Sequence, residues 1–196
     1  MAHGGDVVEE LKTDHREVEE LFGKIEELPS GDSRRKEYAD LVTIELVRHS
    51  VAEEAYLYPA VRRHVRNGDA VADRELADHT AAERTMKDLE RCAADDPEFD
   101  RLIARLAAEI RHHVRDEESN LFPQLVKSCS AEVLNDLGRT RLHQVREEMD
   151  LLVPDGVRDI GSQPGEQPVE LRVVGGTPRQ DLQWARGSRV IRQAKE

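Results

Sequence analysis

Two stretches of this chain copy each other: HSVAEEAYLYP from His49 to Pro59 and HVRDEESNLFP from His113 to Pro123. They share the histidine, the glutamate pair, a leucine, an aromatic residue and the proline at the same spacing, 64 residues apart. The same offset carries Asp14-His15 onto Asp78-His79, Glu19 onto Glu83 and Glu45 onto Glu109. His15 to His49 is 34 residues, and His79 to His113 is again 34. An offset kept by so many chemically distinct residues marks two copies of one structural unit.

That unit reads as a helical hairpin. Val7, Leu11, Val18, Leu21, Phe22 and Ile25 form one apolar stripe at helical spacing. Pro29-Ser30-Gly31-Asp32 breaks it, and Ser33 is placed to cap the next helix. The pattern predicts helices over 6–28, 33–64 with an adjustment at Pro59, 70–94 and 97–127, then a short fifth over 131–150. No alternating strand pattern occurs in the first 150 residues. The expected fold is all-α: an up-down-up-down four-helix bundle of two repeated hairpins over 1–150, the short fifth helix included.

From 151 to 196 the composition changes. Pro154, Pro164, Pro168 and Pro178 share this tail with six glycines, and its charges nearly balance. The stretch VELRVV from Val169 to Val174 could form a short strand. Otherwise such a tail suits an irregular or disordered segment, and it offers a place for a protein partner.

The 34-residue steps have a geometric meaning. At about 1.5 Å of rise per residue, the chain runs roughly 20 Å from His15 to the break and roughly 24 Å back to His49. The second hairpin balances at roughly 21 and 23 Å. Each pair of histidines can therefore share a layer. The middle connection fits less well, so the Pro59 adjustment or an earlier helix end must take up the difference.

His49/Glu53 and His113/Glu117 are i,i+4 pairs on one helix face. Imidazole suits iron, zinc and copper, while a carboxylate suits harder ions and can bridge two of them. Four histidines and two glutamates would make a pseudo-symmetric two-metal centre, with iron or manganese favoured over a four-coordinate structural zinc. The spacing by itself is common: His143/Glu147 has it outside the repeat. The alternative is a duplicated hairpin whose polar residues serve packing and solubility alone, but four repeated inward-facing histidines are costly to bury without a use.

The combined pattern of DH at Asp14-His15, H-x3-EE…YP from His49, DH at Asp78-His79 and H-x3-EE…FP from His113 resembles the hemerythrin family, in its bacterial HHE cation-binding group. The resemblance covers roughly residues 6 to 128. It implies a non-heme centre of two iron ions, Fe2+ or Fe3+, joined by an oxo or hydroxo bridge, with manganese second. The terminal ligands it implies are His15, His49, His79 and His113, and the bridges Glu53 and Glu117. In oxygen-carrying hemerythrins a second histidine follows the third-helix histidine by four residues, where this chain has Glu83. A carboxylate there would harden the iron environment and disfavour reversible oxygen carriage. By repeat symmetry Glu19 would serve the other iron, each as ligand or just outside. Glu54 and Glu118, about 140° further round the helix, suit salt bridges or a channel lining. His112 points elsewhere, and His3, His64 and His143 belong to the surface. Tyr58 and Phe122 read as packing, and Tyr56 as the hydrogen-bond donor within reach.

The expected function is a di-iron protein that reacts with or binds peroxide, dioxygen or nitric oxide, with catalase-like turnover as the enzymatic form. The other readings are an iron-, oxygen- or redox-sensing module without turnover, and a purely structural bundle. The cysteine-containing N-terminal segment of the family's iron-sulfur repair members is not visible, which lowers that role. With a net charge of −12 and 36% charged residues, neither nucleic acid nor an anionic membrane is expected as partner. No apolar run is long enough for a bilayer, and MAHGGDVVEE has neither the basic nor the apolar region of a secretory signal. Cys92 and Cys129 lie in no redox or metal motif, so a reducing cytoplasm is the expected setting.

Overall fold

The computed structural model describes residues 5–138. Four of the five expected helices begin at a residue whose side chain accepts from the free N–H groups of the first turn; the third, preceded by Asn67, has no such bond. Helix α1 (Val7–Glu27) starts at Asp6, whose carboxylate accepts from the Val8 and Glu9 amides at 2.9 and 3.1 Å. Gly31, at φ +82°, turns the chain. Helix α2 (Ser33–Ala52) is capped by Asp32, which accepts from Arg34 N at 3.0 Å. The cap is thus one residue before Ser33, because a carboxylate there reaches the amide two residues on while Ser33 has entered the helix.

The rod that α2 begins does not continue as regular helix through Pro59. Glu53–Leu57 forms a π-helical turn, followed by α3 (Tyr58–His64). The second copy repeats this: α5 (Pro97–Asp116), a π-helical turn at Glu117–Leu121, then α6 (Phe122–Ser128). Proline inside an α-helix clashes with the carbonyl four residues back. The wide turn just before Pro59 and Pro123 relieves that clash, and the Tyr58 and Phe122 amides donate five residues back, to Glu53 O and Glu117 O.

Helix α4 (Gly68–Glu90) carries the third rod. Asp96 and Pro97 start α5 as expected, with Asp96 accepting from Glu98 N at 2.8 Å. Ser130 caps α7 (Ala131–Asp136), which packs on α1. The fifth helix is described only over Ala131–Asp136 against the expected 131–150, and the tail at 151–196 lies outside the described residues. In sequence order α1 packs on α2 and α4 on α5, giving the two hairpins.

The bundle has two apolar cores rather than one. Leu11, Leu57, Val61, Leu121, Phe122 and Leu125 anchor the first, with Val7 and Leu134. Val18, Phe22, Ile25, Phe99, Leu102 and Leu106 anchor the second, with Met86 and Ile110. Along α1, the first core ends at Leu11 and the second begins at Val18, which leaves His15 between them. No helix among the described residues is long and apolar enough to cross a membrane.

At the awkward middle connection the second rod ends where expected, but the wide turn precedes Pro59, α4 begins two residues earlier than expected, and the backbones approach closely. Helix α3 stops at His64, and Asn67, in the left-handed region at φ 58°, turns the chain into α4. A methyl group on Gly68 would lie 2.2 Å from Val61 O. Backbone cannot yield as a flexible side chain can, so Gly68→Ala should cost about 1–3 kcal/mol. Thermal unfolding followed by circular dichroism should show a melting temperature lower by roughly 2–12 °C.

Candidate metal centre

Six polar side chains converge in the layer between the two cores. His15 comes from α1, His49 from α2, His79 from α4 and His113 from α5, while Glu53 and Glu117 open the two π-helical turns. All six are buried, the two glutamates completely. His15 and His49 face each other with Nε2 atoms 3.2 Å apart, and so do His79 and His113. The equal 34-residue steps are therefore equal heights. Glu53 spans the two pairs, with Oε1 3.3 Å from His49 Nε2 and Oε2 3.1 Å from His79 Nε2. Glu117 does the same, its Oε2 lying 3.4 Å from His15 Nε2 and 3.6 Å from His113 Nε2.

The Nδ1 atoms explain why the Nε2 atoms meet. His15 Nδ1 is 2.9 Å from Glu118 Oε1, and His79 Nδ1 is 3.2 Å from Glu54 Oε1. His49 Nδ1 is 3.4 Å from Asp14 Oδ2, and His113 Nδ1 is 3.2 Å from Glu75 Oε2 and 4.0 Å from Asp78 Oδ2. A carboxylate at Nδ1 holds the proton there and turns the Nε2 lone pair inward, as behind metal-bound histidines generally. Two lone pairs at 3.2 Å repel each other unless a proton or a cation lies between them. Glu54 and Glu118 thus reach across to the other hairpin instead of forming salt bridges along their own helices. Arg16 steadies Glu118 from outside at 2.8 Å.

The donors suit two cations. His15, His49, Glu53 and Glu117 offer one set of converging atoms, and Glu53, His79 and His113 offer another. Donor atoms around one ion sit about 3 Å apart when each bond is about 2.0–2.2 Å, which is the spacing seen here. Glu53 Oε1 and Glu117 Oε2 are buried without a hydrogen bond, as are Glu75 Oε2 and His113 Nδ1, whose contact is close but out of line. Orphaned buried carboxylate oxygens are costly, and a cation removes that cost.

Several side chains lie elsewhere than the sequence suggests. Glu19 is exposed and grips Arg111 through a bidentate pair at 2.6–3.1 Å. Glu83 holds the Lys87 ammonium at 2.6 Å and is not among the converging donors. The extra carboxylate comes instead from Glu75, one helical turn before His79 rather than one after. Tyr58, read as packing, places its hydroxyl 3.1 Å from His79 Nε2 and 3.3 Å from Glu53 Oε2. Five residues along a regular helix would set it about 140° away from Glu53; the π-helical turn brings it back over the same face. Tyr56 instead packs half-buried against the first core. His64 and His112 are exposed, whereas His3 and His143 lie outside the described residues. The repeat conceals Glu75 and Tyr58, because their counterparts 64 residues away are Leu11 and Phe122. The available signal was the E-x-x-x-H spacing from Glu75 to His79.

Residues 6–125 match the family described as hemerythrin HHE cation binding domain. The chain belongs to this family. A DNA nickase of a Nostoc species is 32% identical over 124 residues, covering 62% of this chain but 34% of the nickase. An uncharacterized hemerythrin-like protein of Schizosaccharomyces pombe is 25% identical over 120 residues, covering 61% of this chain and 59% of its own. This chain therefore spans about a third of the first relative and under two thirds of the second. A crystal structure of a hemerythrin HHE cation binding domain-containing protein from Mycobacterium kansasii shares the fold, with a TM-score of 0.66 at 19% identity over 81% of this chain and 93% of that one. The HHE domain is a metal-binding helical module, and in this chain its buried His/Glu cluster supplies the donors.

Without a metal the HHE cluster holds protons instead. Burial, with Glu53 close by, pushes the Glu117 carboxyl up to about 8. Burial opposes a charged His79, but hydrogen bonds to Glu53 and Glu54 outweigh it and raise its pKa to about 9. Burial and neighbouring His49 lower His15 to about 4. Burial would raise Glu53 too, yet His49 and His79 hold it well below the usual range. Glu117 and His79 bind more protons folded than unfolded, so their stabilisation is full below their ordinary values, 4.5 and 6.5, and is lost as pH rises through the folded ones. Metal-free protein should therefore melt at progressively lower temperature from about pH 6.5 to 9. Metal binding releases those protons, so calorimetric titration over the same window should show affinity rising with pH.

Proposed function

We propose that the bundle holds two iron ions, one between His15 and His49 and one between His79 and His113, with Glu53 and Glu117 shared between them, and that the pair reacts with peroxide, dioxygen or nitric oxide. The observation that carries this reading is the inward set of Nε2 atoms, each backed by a carboxylate at Nδ1, around two glutamates with orphaned oxygens. The converging donors are imidazole nitrogen and carboxylate oxygen without a thiolate, a set that suits iron. When bound, two adjacent irons supply paired redox centres and Lewis acidity.

The protein's own part is to position, shelter and select. A cavity of about 20 Å³ opens beside the histidines on the side of the second core. Val18, Leu46, Ala82, Met86, Ile110 and Val114 supply its apolar walls. That volume holds about one water-sized molecule, the scale of the small molecules proposed. The carboxylates at Nδ1 fix each imidazole, so small-molecule exchange leaves the donors in place.

The nickase name of the Nostoc relative belongs to a protein of which this chain spans about a third. A net charge of −12 sets this chain against a phosphate backbone.

Metal analysis of the purified chain after iron loading should give about two irons per chain, with His49→Ala and His113→Ala each losing at least one. A chain that keeps its helicity and binds no iron overturns the reading. Peroxide added to the loaded protein should evolve oxygen continuously. Bleaching of the iron absorption without oxygen release would instead favour a sensing module without turnover.

A further inference from the structure

The proposed ion pair sits inside a repeat, yet its two ends differ. Position 58 is tyrosine, and its repeat counterpart is Phe122. Phe122 lies flat on His15, ring centroids 5.9 Å apart and planes 7° from parallel, and offers no donor. Tyr58 turns a hydroxyl into the centre, with 2% of its surface exposed. That oxygen is 3.1 Å from His79 Nε2, 3.3 Å from Glu53 Oε2 and 3.5 Å from Glu117 Oε1. All three neighbours are inward-facing donor atoms, and the separations are those between donors on one ion, about 3 Å. An oxygen that close to three such atoms at once lies where an ion bound by them would be within its reach.

Glu75 marks the same end. It is completely buried, its Oε2 is 3.2 Å from His113 Nδ1, and its counterpart is Leu11. The His79/His113 end thus carries one more buried carboxylate than the His15/His49 end. An ion of higher charge is favoured where more negative charge is fixed and desolvated.

We propose that Tyr58 is a further oxygen donor to the ion held by His79 and His113, making this the harder and tighter of two unequal positions. The inference rests on the metal-binding reading above. On binding, the phenol O–H bond breaks as the oxygen–metal bond forms; the proton passes to solvent, and no electron is transferred.

The full chain, loaded with two equivalents of Fe2+ without air and then oxidised in air, tests this by visible absorption and resonance Raman spectroscopy. A phenolate bound to Fe3+ absorbs in the visible, and excitation there enhances tyrosine ring modes. Wild-type protein should show those modes. Tyr58→Phe should lose them and bind one of its two irons at least tenfold more weakly. The chain has three tyrosines, so Tyr38→Phe/Tyr56→Phe leaves Tyr58 alone and should keep the modes, a result independent of whether Tyr58→Phe folds. Two bound irons without tyrosine modes in wild type would overturn this inference and leave the metal-binding reading standing, as would modes that survive in Tyr58→Phe. Absence of bound iron would overturn both.

Discussion

The bundle depends on an electrostatic imbalance that its own residues offset only by holding protons. Glu53 and Glu117 are fully buried at the midpoint of the rods, with Glu75 beside them and Asp14, Glu54, Asp78 and Glu118 behind the histidines. The arginines nearby stay at the rim: Arg16 on Glu118, and Arg74 on Glu75 and Asp116. Protonated histidine and a protonated Glu117 are the internal remedy. Buried charge without a partner costs several kcal/mol per ion, so a cation is the component that completes this layer.

The π-helical turns are how a straight rod brings more polar side chains to the centre. A regular helix presents His49 and Glu53 on one face but turns the fifth residue after Glu53 away. Widening the turn at Glu53–Leu57 restores Tyr58 to that face and makes room for Pro59. The same widening at Glu117–Leu121 sets Phe122 against His15. One local distortion, dictated by a proline, thus serves both the backbone and the centre.

A repeat reveals what two copies share, so the four histidines, both shared glutamates and the hairpin architecture were visible in the 64-residue offset. The same comparison discards differences, and the two most distinctive side chains of the centre, Tyr58 and Glu75, are differences. Helical spacing misled in another way. Glu19 and Glu83 lie one turn from a histidine, but a glutamate near the bundle's margin is drawn outward by a basic neighbour, Arg111 or Lys87. Conversely, Glu54 and Glu118 lie off the face of their own histidines because they serve histidines of the other hairpin. Such cross-hairpin pairing is a tertiary property that no single-helix projection contains.

The cavity has a consequence for how the protein ages. Its wall includes the thioether of Met86, buried within the second core, on the side of the histidines away from Tyr58. An oxidant held there lies against the most easily oxidised group in its surroundings. Sulfoxidation would put a polar S=O into a packed apolar wall. If the chain handles oxidant as proposed, the damage would fall on the cavity wall and would accumulate on the molecules that had handled the most.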